Sequence, residues 1–332
     1  MKKTEILILI ILSVLSIALC ILVSLAFGAR YIGFAEVMDT LINSKSDTIN
    51  QIVVNERIPR TIFGIIAGAA LGVSGALMQS ITRNPIADPS VLGVNTGAAL
   101  FVVIGIAFFQ ISTPEAYIIF ALLGAGITAV FVYAVGSLGY GGATPIKLAL
   151  AGAATSAALS SIVSAIILPR ADVMNAVRFW QVGSTSGATW QGIVAVFPFL
   201  AVGILLGIAL TPALDALAMG EEIATGLGVR TGLVRLGGAF AGVLLCGATT
   251  ALAGPIGFVG LMVPHIMRMV CGPSLRLIIP MSAIGGSVIL ILSDVLGRLI
   301  GSPGELEAGI ITAFIGAPIL IIIAMRSKVR AL

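Results

Sequence analysis

The sequence has 332 residues, of which 58% are hydrophobic and only 10% are charged; its net charge is +4 and its mean hydropathy is +1.16. A soluble domain carries about 25% charged residues, so this composition excludes a water-soluble protein. Beyond the termini, basic residues are scattered singly, which also excludes a nucleic-acid-binding surface. No segment shows the alternation of a strand. The composition therefore predicts an all-α integral membrane protein in contact with lipid, with room for about ten spans of about 20 residues.

Uncharged apolar stretches place these helices along the chain. The first apolar run is about 22 residues long and exceeds the hydrophobic region of a signal peptide, so we expect an uncleaved first span. The stretch 236–264 is broken at Gly254-Pro255 and at Pro264, which predicts a full span followed by a short, irregular returning span that is buried in protein or lines a cavity. The ten predicted spans are 6–27, 62–81, 92–109, 116–138, 148–168, 191–211, 236–253, 256–267, 277–297 and 308–325.

Two further patterns describe how the spans are arranged. Gly64, Gly68 and Gly72 recur at every fourth position, a spacing typical of tight helix contact in a bundle. Eleven of the eighteen Lys and Arg residues fall in segments that lie inside if the N-terminus is cytoplasmic. The excess favours cytoplasmic N- and C-termini. We interpret residues 1–332 as a single transmembrane domain.

Several motifs occur in an order that is specific to one family. Residues 57–79 read Arg-Ile-Pro-Arg-Thr and continue into Gly-Ala-Ala-Leu-Gly-Val-Ser-Gly-Ala-Leu-Met-Gln, and residues 84–93 read Asn-Pro-Ile-Ala-Asp-Pro-Ser-Val-Leu-Gly. Residues 254–268 contain Gly-Pro-Ile-Gly-Phe-Val-Gly and Pro-His-Ile-Met-Arg, and residues 303–318 contain Pro-Gly-Glu and Gly-Ala-Pro. From about residue 57 to residue 325 the chain resembles the FecCD family of permeases, which serves iron–siderophore, haem and cobalamin import.

The resemblance implies a ten-helix permease subunit of an ABC importer in the cytoplasmic membrane of a bacterium. Its implied partners are a second permease subunit (identical or paralogous), two cytoplasmic ATP-binding subunits, and an extracytoplasmic substrate-binding lipoprotein or periplasmic protein. Ferric siderophore is the expected cargo, with haem and cobalamin as alternatives. Glu307 departs from the family pattern, in which proline is frequent, and adds an acid near the outer end.

The resemblance also implies a docking site for the binding protein, because outer arginines in this family receive glutamates of that protein. The matching residues are Arg57, Arg60 and Arg298. An arginine suits this contact because it is always charged and can hold a carboxylate through two bonds. The alternative is that these arginines extend to the membrane interface or are satisfied by acids of the chain itself, such as Glu56 or Asp294, four residues before Arg298.

The segment 212–231 resembles the cytoplasmic loop that couples a permease to its ATPase. Two acids at a helix start are favourable for the helix dipole, and we expect Leu217 and Ile223 to form an apolar ridge that enters a groove of the partner. An ordinary connector is the alternative. The predicted coupling residues are Leu217, Glu221, Glu222, Ala224, Leu227 and Gly228.

The fifth predicted span carries a small, hydroxylated face that we expect to line the translocation path. Its members are Thr155, Ser156, Ser160 and Ser164, accompanied by Ser161. In the alternative interpretation these hydroxyls bond to backbone carbonyls inside a packed bundle.

Nothing in the sequence indicates catalysis, a cofactor or a metal site. His265 is the only histidine, and no G-x-x-x-x-G-K-[ST] phosphate loop occurs, so a partner chain would have to hydrolyse ATP. An ion-coupled secondary transporter usually places ionisable groups near the midplane, and the predicted spans have almost none. An intramembrane enzyme would need paired catalytic groups that are missing here.

Overall fold

The computed structural model describes residues 3–43, 48–85, 87–139, 144–178 and 180–326, and in these residues the regular structure is helical, without a strand. Single turns of 3-10 helix lie at Pro89–Leu92 and Trp180–Val182. In chain order the α-helices are α1 (Lys3–Ala26), α2 (Phe34–Asn43), α3 (Ile49–Thr82), α4 (Val94–Phe109), α5 (Pro114–Gly136), α6 (Pro145–Ile167), α7 (Ala171–Val177), α8 (Trp190–Ala218), α9 (Glu221–Gly226), α10 (Thr231–Ala253), α11 (Val259–Cys271), α12 (Leu275–Ile300) and α13 (Ala308–Arg326).

The predicted all-α polytopic bundle is confirmed, since each of the ten predicted spans overlaps one helix. Among the described residues, seven helices are long and apolar enough to cross a membrane: α1, α3, α5, α6, α8, α10 and α12. Three further apolar segments, Val94–Phe109, Val259–Cys271 and Ala308–Ile322, are shorter. The remaining helices α2, α7 and α9 lie in connections between these segments.

Helix α3 is longer than the span predicted at 62–81, because it begins at Ile49. Its start is fixed by a capping box: the hydroxyl of Thr48 accepts from the Gln51 backbone amide, and the Gln51 side chain accepts from the Thr48 amide. Arg57 and Arg60 interrupt the apolar pattern but not the helix. Both arginines therefore lie within α3 rather than in a loop before it.

Close contact between α3 and α12 forms the centre of the bundle. A Cβ added at Gly72 would lie 2.0 Å from the carbonyl oxygen of Ser282, and one added at Gly68 would lie 2.4 Å from that of Gly286. At Gly64 the nearest atom would be at an ordinary 3.4 Å. The predicted tight helix contact is thus confirmed at two of the three glycines, where only glycine allows the two backbones to approach so closely.

The interruption between α10 and α11 matches the predicted broken span. The chain leaves α10 at Ala253, passes through left-handed conformations at Gly254 (φ 71°) and Phe258 (φ 69°), and enters the 13-residue helix α11, which contains Pro264. The carbonyl of Ala253 accepts a 2.7 Å hydrogen bond from the backbone amide of Ser184. The Ala253 carbonyl at this interruption is therefore hydrogen-bonded by another segment of the protein. Backbone polar groups inside a membrane need such partners.

Candidate functional site

Arg57 is buried in α3, with 7% of its surface exposed. Its guanidinium donates hydrogen bonds of 2.8–3.2 Å to the carbonyls of Leu25, Ala26 and Arg30. The last carbonyls of a helix have no partner within the helix, and Leu25 and Ala26 are the last residues of α1. Arg57 therefore caps the C-terminal end of α1 and holds the chain that follows it.

Arg298, in the last turn of α12, is the largest fully buried side chain of the described protein, at 2% exposure. Its guanidinium donates to the carbonyls of Ser24 and Phe27 and to the Ser24 hydroxyl, at 2.9–3.0 Å. Gly28 makes room for two arginines here, because a Cβ at that position would lie 2.5 Å from Nη2 of Arg57 and 3.3 Å from Nη1 of Arg298. The two guanidinium groups thus share one pocket at the end of α1.

Arg60 connects α3 to two acids. Its Nη2 lies 2.7 Å from Oδ1 of Asp294, its Nε donates to both oxygens of that carboxylate, and its Nη1 lies 2.7 Å from Oε2 of Glu305. Asp294 also pairs with Arg298 at 3.1 Å, as the i,i+4 spacing indicated, and accepts a hydrogen bond from the Thr185 hydroxyl. The Asp294 side chain is only 5% exposed, so this carboxylate is the buried centre of the cluster.

The cluster formed by Arg57, Arg60, Arg298, Asp294 and Glu305 brings the three predicted arginines together. Its buried charges are compensated by acids and carbonyls, as buried charges must be. The acids that compensate them are Asp294 and Glu305, whereas Glu56 forms no ion pair in the described part of the chain. Only the Arg60–Glu305 pair reaches the surface, since the Glu305 side chain is 42% exposed. With three cations and two acids, the cluster keeps one net positive charge.

At the other end of the bundle, the predicted loop 212–231 contains a short helix. Helix α8 continues to Ala218, and α9 occupies Glu221–Gly226. Leu217 and Ala224 are fully buried, so the prediction that Leu217 forms an exposed ridge is wrong; the burial arises because it packs into the main core. Ile223 and Leu227 are 50% and 65% exposed, and Glu221, Glu222 and Gly228 are also exposed. The outward surface of α9 is therefore apolar and acidic.

Polar contacts fix the base of this loop to three helices. The guanidinium of Arg83, the C-cap of α3, donates to the carbonyl of Leu217. The Asp215 carboxylate accepts a 2.8 Å bond from the first backbone amide of α12. Glu221 pairs at 2.9 Å with Arg235 of α10. The end of α8 is thus bound to α3 and α12, and α9 is bound to α10, so a force applied to this loop would reach all three helices.

The hydroxylated face of α6 lies at the surface of the single chain. Thr155 and Ser156 are half-buried, while Ser160 and Ser164 are exposed. The Ser164 hydroxyl donates to the Ser160 carbonyl, 3.0 Å away, so backbone bonding accounts for that hydroxyl. The exposed residues of α6 include many small side chains, whereas the exposed residues of α5 are large and apolar, for example Leu123, Ile127, Val130 and Phe131. The α6 face is thus less suited to lipid than that of α5.

A family model described as the FecCD transport family matches residues 14–326. The chain belongs to this family. The probable siderophore transport system permease protein YfiZ of Bacillus subtilis (strain 168) is 38% identical over 303 residues, which cover 91% of each chain. The ferric enterobactin transport system permease protein FepD of Escherichia coli (strain K12) is 40% identical over 304 residues, 91% of this chain and 90% of that protein.

A solved structure of a transporter has the same helical architecture as this chain. It is described as an inward-facing conformation of a metal-chelate type ABC transporter, and one of its chains aligns with a TM-score of 0.81 and 25% identity, covering 96% of this chain and 98% of the other. Family members are transport permease subunits. The chain is accordingly a multi-span membrane permease.

The sequence did not predict a role for two acids that form polar contacts in the structure. Glu305 lies 245 residues from Arg60 along the chain, and no local pattern connects them. Asp88, in the connection between α3 and α4, is 8% exposed and accepts a 2.9 Å bond from the Ser90 amide. Burial raises the pKa of the Asp88 carboxyl. The available signal was the Asp-Pro-Ser sequence, a typical start of a helical turn.

Proposed function

We propose that this chain is the membrane-spanning permease subunit of an ABC importer that carries ferric siderophore complexes across the cytoplasmic membrane of a bacterium. The observation that carries the proposal is the family match over residues 14–326, joined to relatives named for siderophore and ferric enterobactin transport. Haem or cobalamin import by the same type of subunit is the alternative.

The inner surface supports a partnership with ATP-binding subunits. The chain has no phosphate-binding loop of its own, while α9 presents exposed Ile223 and Leu227 beside Glu222. An apolar helix face of this kind fits a groove in a partner. Within the single transmembrane domain, residues 212–231 are thus the coupling element: Glu222, Leu227 and Gly228 face the ATPase, whereas Leu217, Glu221 and Ala224 hold α9 in place.

The outer cluster supports docking of an extracytoplasmic binding protein. Of the three arginines, Arg60 reaches the surface through its contact with Glu305. Arg57 and Arg298 are buried, so they position the ends of α1, α3 and α12 and add positive potential beneath the surface. A carboxylate of the binding protein would meet Arg60 first.

Two permease subunits together would enclose the translocation path. The weakly polar face of α6 formed by Thr155, Ser156, Ser160 and Ser164 supports its assignment to this path, because small and hydroxylated residues let a bulky chelate pass without binding it tightly. Such a face is also exposed in the single chain, where a second subunit could cover it.

The termini are proposed to be cytoplasmic, which places α9 inside and Arg60 outside. In a background without the three native cysteines, Asp172→Cys should react with an impermeant thiol reagent in intact spheroplasts, and Arg230→Cys should react only after lysis. The reverse pattern would overturn the orientation.

The function itself is tested by purifying the permease from its native host and identifying its subunits by mass. The complex is then reconstituted in proteoliposomes. We expect uptake of radiolabelled ferric siderophore that requires both ATP and the binding protein. Uptake driven by an ion gradient without ATP would contradict the proposal, and preferential uptake of haem or cobalamin would favour the alternative.

A further inference from the structure

The two contacts of Arg60 differ strongly in their surroundings. On its inner side, three hydrogen bonds reach Asp294, a carboxylate that is 5% exposed and also held by Arg298 and Thr185. On its outer side, Nη1 makes a single contact to Glu305, whose side chain is 42% exposed. One side of the guanidinium is therefore held by the buried Asp294 carboxylate, and the other side faces the surface.

Because their surroundings differ, the Glu305 contact can be replaced by another carboxylate more easily than the Asp294 contact. Removing one member of a buried pair is strongly unfavourable because it leaves an uncompensated charge, so Arg60 and Asp294 stay together. The Arg60–Glu305 pair is weaker, because the Glu305 side chain is 42% exposed and water can replace that carboxylate, although the Arg60 side chain is only 11% exposed. Another carboxylate could therefore take the place of Glu305 at modest cost, while Arg60 keeps its position.

The backbone around Glu305 allows this exchange without unfolding the loop. The amide of Leu306 donates to the carbonyl of Gly297 at 3.1 Å, and the amide of Ile310 donates to the carbonyl of Glu307 at 3.0 Å. The backbone is thus held directly after Glu305, and before it the amide of Gly301 donates to the carbonyl of Gly297 at 3.0 Å. Rotation of one exposed side chain is enough to free Nη1 of Arg60.

We propose that Glu305 is an internal placeholder for the binding protein's carboxylate, and that docking exchanges one carboxylate for the other at Nη1 of Arg60. The proposal rests on the docking function proposed above and adds the residue that sets its affinity. Arg60 is charge-compensated in both the free and the docked permease. Glu305 weakens docking by competing with the binding protein's carboxylate for Arg60.

Glu307 provides a matched control. It lies two residues from Glu305 on the same outer segment, carries the same charge, and forms no ion pair among the described residues. Glu305→Gln and Glu307→Gln therefore remove equal charge from the same segment, but only the first releases Arg60. A difference between the two variants measures competition for Arg60 rather than net charge.

The experiment uses the permease–ATPase complex in lipid nanodiscs, with the binding protein that copurifies from the native host as the probe. Dissociation constants are measured for the unchanged complex, Glu305→Gln, Glu307→Gln, Arg60→Gln and the double variant Arg60→Gln/Glu305→Gln. We expect Glu305→Gln to tighten docking by a factor of about 1.5 to 5, the range set by a solvent-exposed ion pair. Glu307→Gln should change the dissociation constant clearly less than Glu305→Gln does. The double variant should bind no more tightly than Arg60→Gln alone.

Each other outcome has a defined meaning. Equal tightening by Glu305→Gln and Glu307→Gln, or a gain that persists without Arg60, would show a general charge effect and overturn the placeholder. Weaker docking by Glu305→Gln, with an unchanged melting temperature, would make Glu305 a direct contact and also overturn it. If Arg60→Gln leaves docking unchanged, the docking assignment itself has failed. A melting curve for every variant separates these results from misfolding.

Discussion

Replacing Arg298 by methionine tests whether the outer cluster holds the bundle together. The substitution keeps a long side chain but removes every donor of a guanidinium that is 2% exposed. It leaves the carbonyls of Ser24 and Phe27 without this partner, and it removes one of the two arginines that compensate Asp294. We therefore expect α1 to separate more easily from α12.

The magnitude follows from the contacts that are lost. Four polar contacts end on the Arg298 guanidinium, two to carbonyls, one to a hydroxyl and one to Asp294. At about 0.6 kcal/mol for each hydrogen bond in a membrane bundle, their loss gives about 2 kcal/mol. The unbalanced charge on Asp294 raises this toward the cost of breaking a buried pair, about 3–5 kcal/mol. Because Arg60 still compensates Asp294, we expect about 3 kcal/mol.

The assay is reversible unfolding of the purified permease in mixed detergent micelles, with Arg30→Ala as the matched control. Arg30 is an exposed cation on the same outer surface, so its loss should cost less than about 0.5 kcal/mol. Combining Arg298→Met with Asp294→Asn should cost less than the sum of the two single changes, since both charges of one pair disappear together. An Arg298→Met variant as stable as Arg30→Ala would refute the structural role.

Three further predictions concern other parts of the chain. Glu222→Ala combined with Leu227→Ala should reduce ATPase copurification and substrate-stimulated turnover while leaving the melting temperature unchanged, because both side chains are exposed. Asp88→Asn should stabilise the permease at neutral pH, because the raised folded-state pKa of Asp88 makes the parent protein less stable as pH rises. The variant should lose this advantage as pH falls toward the pKa of the unfolded state. Unfolding curves at several pH values check this. Ser160→Phe should block iron uptake because its bulk narrows the proposed path, whereas Ile162→Phe, on the opposite side of α6, should allow uptake.

Periodicity and composition were sufficient to predict the helical bundle but not the polar contacts between its helices. Ten apolar stretches located ten helices, since burial in lipid demands long uncharged runs. The same rule hid the first part of α3, where Arg57 and Arg60 break the apolar pattern. That part of the helix persists because Leu25, Ala26 and Asp294, which are distant in sequence, satisfy the two arginines.

The site residues show the same limit. Spacing predicted the Asp294–Arg298 pair because four residues bring side chains together on one helix face. It could not predict the Arg60–Glu305 pair, which forms only after α3 and α12 pack. Likewise, the sequence of the inner loop indicated a helix start at Glu221, but burial of Leu217 depends on the packing of α8 into the core. Contacts within one element are readable from spacing, whereas contacts between elements require the fold.

Helix α3 connects the two ends of the molecule that the proposed function requires. It is one continuous helix of 34 residues, about 50 Å long. Arg60 lies in its outer half and Arg83 caps its inner end, where the guanidinium contacts the carbonyl of Leu217 just before α9. Close backbone contact at Gly68 and Gly72 joins the middle of α3 to α12. A displacement of α3 at the Arg60 cluster would therefore reach the base of α9, so under the proposed function docking and ATP hydrolysis would act on the same helix.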